Sequence, residues 1–219
     1  MTQVAGPGSG PGSGPGAAIG DDPVVAAFAR RVGPGMALAG DAERVAAACH
    51  AMAVRFHQGG KAVIFGNGAP ATDAQHLAVE FVHPVGVGKR ALPAISLAND
   101  APTLTGLAER EGFDAVFAAQ LRLLGRPNDV AVGISADGRS RGVLRAFEAA
   151  READMLTVAL VGGDGGDVAA SGTVDHVLPA RTADPRIVKE VHVTIYHVLW
   201  ELVHVFLDQP ALLRAGAVR

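Results

Sequence analysis

From residue 61 onward the chain alternates short apolar runs with glycine-rich turns and segments of helical spacing. The runs cover 62–65, 94–97, 130–134, 157–161 and 176–178. None alternates polar with apolar, which is the pattern of strands buried on both faces. Such strands separated by helices predict an α/β fold: a doubly wound three-layer sandwich around a five-stranded parallel sheet. Long helices flank it. Upstream, Val45, Cys49, Met52 and Phe56 recur at helical spacing and predict a helix over 41–58 with Asp41 as its N-cap. A shorter helix is predicted over 22–32. Downstream, 187–207 is apolar on nearly every face through Val191, Ile195, Leu199, Trp200, Val203 and Phe206. A surface helix carries one apolar stripe, so this one is expected to be covered on several sides, by another subunit among others.

Residues 6–16 read GPGSGPGSGPG and offer no side chain that can bury area. Residues 1–20 are therefore expected to be a flexible tail, followed by one domain over 21–210 and a short tail over 211–219. At 219 residues there is room for one well-buried domain but not two. Hydrophobic residues make up 49% and charged ones 19%, which excludes disorder of the whole chain. The net charge of −3 and the lack of a Lys/Arg cluster leave no footprint for nucleic acid or an anionic membrane. Any anion must be gripped locally. Cys49 is the only cysteine, so no internal disulfide forms, and neither a signal segment nor a spanning apolar run is present. A cytoplasmic location is expected.

Ligands of open parallel sheets sit beyond the carboxyl ends of the strands. Two turns are placed there: 66–73, containing Asn67 and Gly68, and 135–140, containing Ser135, Asp137, Arg139 and Ser140. Neither carries the glycine spacing of a dinucleotide or triphosphate loop. Two ionisable pairs accompany them. His76 and Glu80 lie four apart, as do His197 and Glu201, so each pair shares a helix face. Two imidazoles with carboxylates suit either a divalent metal site or general acid and base work. Glu201 is read as solvated, and His192 and His204 as packing residues.

In chain order stand Gly66-Asn67-Gly68, then Asp73-Ala74-Gln75-His76 with Glu80; LPAISL at 92–97; EGFDAVF at 111–117; DVAVGIS with Gly138 and Ser140; and Glu190-Val191-His192 with His197. Together these resemble the bacterial sedoheptulose 7-phosphate isomerases, a branch of the sugar isomerase (SIS) family. The resemblance implies a SIS fold, a homotetramer with sites at subunit interfaces, and isomerisation of a ketose phosphate to an aldose phosphate, with zinc as the usual metal. It implies that His76 and Glu80 are metal ligands, with Glu80 also a base, and that His197 is the ligand or acid on the last helix. It further implies that Asn67 contacts substrate and that Ser135 and Ser140 hold its phosphate.

The departures are specific. Pro70 stands where the family usually has a serine, and Ala136 and Asp137 replace a Thr and a Ser. Arg139, and Arg110 where the family often has Asp, are expected to restore positive charge. Lys189 aligns with the family's fourth ligand, a Gln; an ammonium has no lone pair to offer a metal. Lys189 is therefore expected to pair with Glu80, to act as an electrophile, and to leave no tightly bound zinc. Two functions follow: a phosphosugar isomerase using Glu80, His197 and Lys189, or a non-catalytic SIS module that senses phosphosugars or binds a protein partner.

Overall fold

A computed structural model describes residues 22–213. The Gly/Pro/Ser head lies outside the described residues. The chain divides into two units between Gly33 and Pro34. All that follows on the core and the site concerns the second.

The sheet is parallel throughout, in the order β2-β1-β3-β4-β5. Its strands are β1 (Ala62–Gly66), β2 (Ala94–Ser96), β3 (Val130–Ser135), β4 (Leu156–Gly162) and β5 (His176–Ala180). Successive side chains of a strand point to opposite faces, and the core divides by that rule. Ala62, Ile64, Val130, Val132, Val158 and Leu160 belong to one buried cluster. Val63, Phe65, Ala131, Ala159 and Val161 belong to the other. This is why the runs show no alternation: both faces are covered.

The first cluster is closed by α2 (Ala42–His57), α3 (Ala69–Val82) and α8 (Pro185–Leu207). The second is closed by α5 (Val116–Leu124), α6 (Arg141–Glu152) and α7 (Gly166–Ala170), with α4 (Ala101–Glu111) packed beside them. Gly133 is required in β3, because a Cβ there would lie 2.4 Å from the Phe147 ring of α6. The predicted three-layer sandwich is the observed fold.

Some local expectations are corrected. The first helix, α1, is Pro23–Gly40 and carries Pro34 inside it, so it does not stop near Val32. A proline removes one helical hydrogen bond and crowds the preceding turn; here glycines stand on both sides of it. Asp41 precedes α2 but its side chain caps nothing. Arg181 takes it instead, with Nε and Nη2 at 2.8 and 2.9 Å, and this fork holds the Asp41 carboxyl below the usual carboxylate range. Of the long last helix, Ile187, Val191, Ile195, Tyr196, Leu199 and Val203 are buried in the α2/α3 core, while Val198, Leu202 and Phe206 are partly buried. The folded chain also runs past 210. The Leu212 carbonyl lies 2.7 Å from His50 Nε2, and Leu213 packs on the same core.

Candidate active site

The parallel register aligns the carboxyl ends of the central strands: Gly66 stands beside Ile134, and Ser135 beside Val161. After β1 the chain leaves for the β2 edge, whereas after β3 it proceeds to β4 on the other side. A cleft opens where strand order reverses in this way. The 66–73 and 135–140 turns meet there, joined by a hydrogen bond from Asn67 Nδ2 to Ser140 Oγ at 3.2 Å.

A cavity of about 280 Å³ lies at this junction, lined by Asn67, Pro70, Ser135, Asp137, Arg139 and Ser140 among others. The buried Ser135 hydroxyl accepts from Gly138 N–H at 3.1 Å. Ser140 is the N-cap of α6 and accepts from Val143 N–H. The first turn of α6 thus faces the cavity with the positive end of a 12-residue helix. Asp137 turns its carboxylate back on its own turn, where Oδ1 accepts from Arg139 N–H at 2.9 Å. Gly68, at φ +69, adopts a backbone that favours glycine and leads into α3.

The second constellation spans α3 and α8. His76, Glu80 and His197 each bring a ligand atom within 4.8 Å of the others. His76 Nε2 is 3.1 Å from Glu80 Oε1, and the His76 and His197 rings meet edge to face at 5.3 Å. Glu80 is buried, while both imidazoles reach the surface. The other nitrogen of His76, Nδ1, is 2.8 Å from the hydroxyl of Tyr196, which is fully buried. Burial pushes the Tyr196 phenol up to about 12, so it stays protonated through the neutral range.

Sequence reasoning missed Tyr196. Its signal was a lone hydroxyl among the buried positions of α8, since a buried Tyr O–H normally finds a partner.

Lys189 is not where it was expected. Its Nζ lies 2.6 Å from Asp73 Oδ1, with Thr72 Oγ1 at 3.2 Å and the Ala69 carbonyl at 3.4 Å. Glu80 lies seven residues beyond Asp73 on α3, about 10 Å along the axis at the helical rise. The ammonium is therefore matched by Asp73 and is neither the partner of Glu80 nor an electrophile at the His76 cluster. Arg110 is likewise away from the cavity lining, in the last turn of α4, where it pairs with its neighbour Glu111 at 2.7 Å. His192 and His204 are buried, as packing residues should be, and Glu201 is exposed.

The donor set fits a divalent cation. Three N/O ligands are what a catalytic zinc site draws from its protein, and Tyr196 behind His76 supplies the outer partner that metal-bound histidines generally have.

The SIS domain family pattern matches residues 36–162. Over 171 residues the chain is 45% identical to the phosphoheptose isomerase of Solidesulfovibrio magneticus, covering 78% of this chain and 82% of that protein. The solved phosphoheptose isomerase of Neisseria gonorrhoeae superposes with a TM-score of 0.76 at 34% identity, over 82% of this chain and 96% of that one. That of Francisella tularensis gives 0.78 at 28%, over 83% and 96%. The chain belongs to the phosphoheptose isomerase family of SIS-domain proteins. Within this phosphoheptose isomerase fold, the departures at Asp137 and Lys189 are each absorbed locally, by Arg139 N–H and by Asp73. Among the described residues, no helix is long and apolar enough to cross a membrane.

Proposed function

We propose that the chain converts a ketose phosphate of the sedoheptulose 7-phosphate type to the aldose phosphate, with its phosphate in the 66–73/135–140 cleft and its reacting carbons at the His76, Glu80, His197 cluster. The observation that carries this is the meeting of Glu80 and His197 from two helices, with side-chain N and O atoms within 4.8 Å of each other, in a chain whose relatives are phosphoheptose isomerases. Pro70 lines the phosphate cleft and His76 follows six residues later on α3, about 9 Å along the helix.

The proton balance is closed by two groups. Glu80 takes the proton from C1 of the ketose while His197 gives one to the C2 oxygen, which leaves an enediol. Glu80 then returns its proton to C2, and the C1 hydroxyl gives its own to His197, which restores both residues and leaves the aldehyde at C1. His76 orients the Glu80 carboxylate through its Nε2 contact. If a divalent ion is held by His76, Glu80 and His197, it supplies Lewis-acid polarisation of the carbonyl and hydroxyl oxygens. The expectation of weak zinc binding rested on Lys189 facing the ion, and that lysine is engaged elsewhere. Metal analysis of the purified protein is the direct check.

The non-catalytic reading drew on Pro70, Asp137 and Lys189; Asp137 and Lys189 have local partners, while Pro70 lines the cleft without offering a hydroxyl. Conversion of sedoheptulose 7-phosphate should fall by about 10²–10⁴-fold in Glu80→Gln and His197→Gln, the usual size of a general acid or base effect. Unchanged turnover in both variants would overturn the assignment.

We also infer self-association. Val79, Val82, Val85 and Val87 are exposed along α3 and the segment after it, and an apolar groove of about 290 Å³ runs between Leu38, Val45, Ile195, Val198 and Leu202. A homotetramer would cover such surfaces.

A further inference from the structure

Arg139 follows Gly138 in the 135–140 turn, and its guanidinium is already taken. Nη2 lies 3.1 and 2.9 Å from the two carboxylate oxygens of Asp164, and Nη1 donates to the Asp137 carbonyl at 3.0 Å. Asp164 belongs to the turn between β4 and α7, which is fastened to the Arg139 turn through the backbone. Val168 N–H donates to the Gly138 carbonyl at 2.9 Å. The Gly165 carbonyl approaches so closely that a Cβ on Gly138 would sit 1.8 Å from it. The two turns that carry the pair are thus held together through their backbones. The pair itself is exposed, with side chains 52% and 71% accessible, and pairs of that kind are weak and screened by salt.

Arg139 also stands on a border. It lines the cavity shared with Asn67, Ser135 and Ser140, and it lines a neighbouring one of about 650 Å³ shared with Asp164 and Thr182. Rotation of one side chain moves its charge from the second cavity to the first.

We propose that Asp164 is an internal competitor for Arg139: in the free protein its carboxylate occupies the guanidinium, and the phosphoryl group of the substrate displaces it. The proposal rests on the reading of the 135–140 turn as the phosphate grip. A phosphate monoester brings nearly two negative charges and several acceptor oxygens to a planar five-donor group, which a single exposed carboxylate does not match. A monovalent carboxylate or a neutral sugar has no such advantage. Asp164 therefore raises the threshold for entry and favours phosphorylated sugars over weaker anions. Its effect is specificity at the expense of affinity.

Asp164→Asn is the informative variant, because the amide oxygen still accepts from Gly166 N–H, now 3.0 Å from Asp164 Oδ1, while the charge is lost. Titration calorimetry of the full chain with inorganic phosphate should show about five-fold tighter binding in this variant, the size of one exposed ion pair. The KM for sedoheptulose 7-phosphate should fall similarly. Arg139→Gln should weaken phosphate binding and abolish the gain from Asp164→Asn in the double variant. Unchanged affinity in Asp164→Asn, or the same gain with Arg139 absent, would overturn the competition, the latter because it would reflect general repulsion only. Ser140→Ala separates the two readings. If it weakens phosphate while Asp164→Asn does nothing, the grip stands and the competition fails; if neither Ser140→Ala nor Arg139→Gln changes phosphate affinity, both fail.

Discussion

Which nitrogen of His76 carries the proton decides what the cluster can do. With the proton on Nε2, His76 donates to Glu80, and Tyr196 must donate to Nδ1. With the proton on Nδ1, His76 donates to the Tyr196 oxygen and leaves the Nε2 lone pair free for a cation. The hydroxyl serves either arrangement because it both donates and accepts, and burial keeps it protonated. Tyr196→Phe removes this support without emptying the core. It should lower turnover or metal affinity by about 10–100-fold, the usual size of an outer-shell loss, and shift the His76 ring ¹⁵N resonances that report the tautomer. A variant with unaltered resonances would show that the hydroxyl does not set the tautomer.

Lys189 makes a different prediction. Asp73 is buried, and removing its ammonium in Lys189→Ala leaves an unpaired acceptor that costs about 1–3 kcal/mol. A melting curve checks this. Because Lys189 does not reach the cluster, Lys189→Gln should lower the melting temperature and leave zinc stoichiometry as it was.

Elements explain how much of this was legible. The three central strands could be read because a run buried on both faces is apolar along its length, as β1, β3 and β4 are; the edge strands β2 and β5 are only partly buried and were legible from their place in the strand–helix alternation. The pairing His76/Glu80 was legible because four residues return a helix to the same face. What spacing within one helix does not contain is the identity of the facing helix. His197 was placed on a face of α8 and Tyr196 was not singled out at all, and that 189 meets Asp73 and 196 meets His76 is fixed by how α8 lies on α3. The Asp41 cap failed for a similar reason, since Arg181 lies 140 residues away. Turn glycines divide along the same line. Gly138 combines φ +70 with the Gly165 carbonyl against its Cβ position. Gly138→Ala should destabilise the fold by about 1–3 kcal/mol and weaken phosphate binding as well, as denaturant titration and calorimetry would show together.

The whole molecule responds to pH through buried histidines outside the His76, Glu80, His197 cluster. Burial pushes the imidazoles of His192 and His176 below the ordinary 6.5. Both are thus neutral in the folded state at pH values where the unfolded chain has begun to take up protons. Below about 6.5 the unfolded state binds more protons, so stability falls as pH drops toward the folded values and is regained above 6.5. Denaturant midpoints at pH 7.5 and 5.5 should show this loss, at unchanged slope. Assembly belongs to the same scale: light scattering at micromolar concentration should report an oligomer, and a monomer would leave the exposed valines of α3 and the apolar groove without a reason.

The sheet order also sets a timetable. Ala62 pairs with Val130, and Asn67 reaches Ser140 across 73 residues. In synthesis the residues of β1 and α3, Glu80 among them, come first, those of the 135–140 turn later, and those of α8, with His197, later still. On the proposed chemistry, no partial chain that stops short of α8 holds both the base and the acid. The site is completed only when α8 packs on α3.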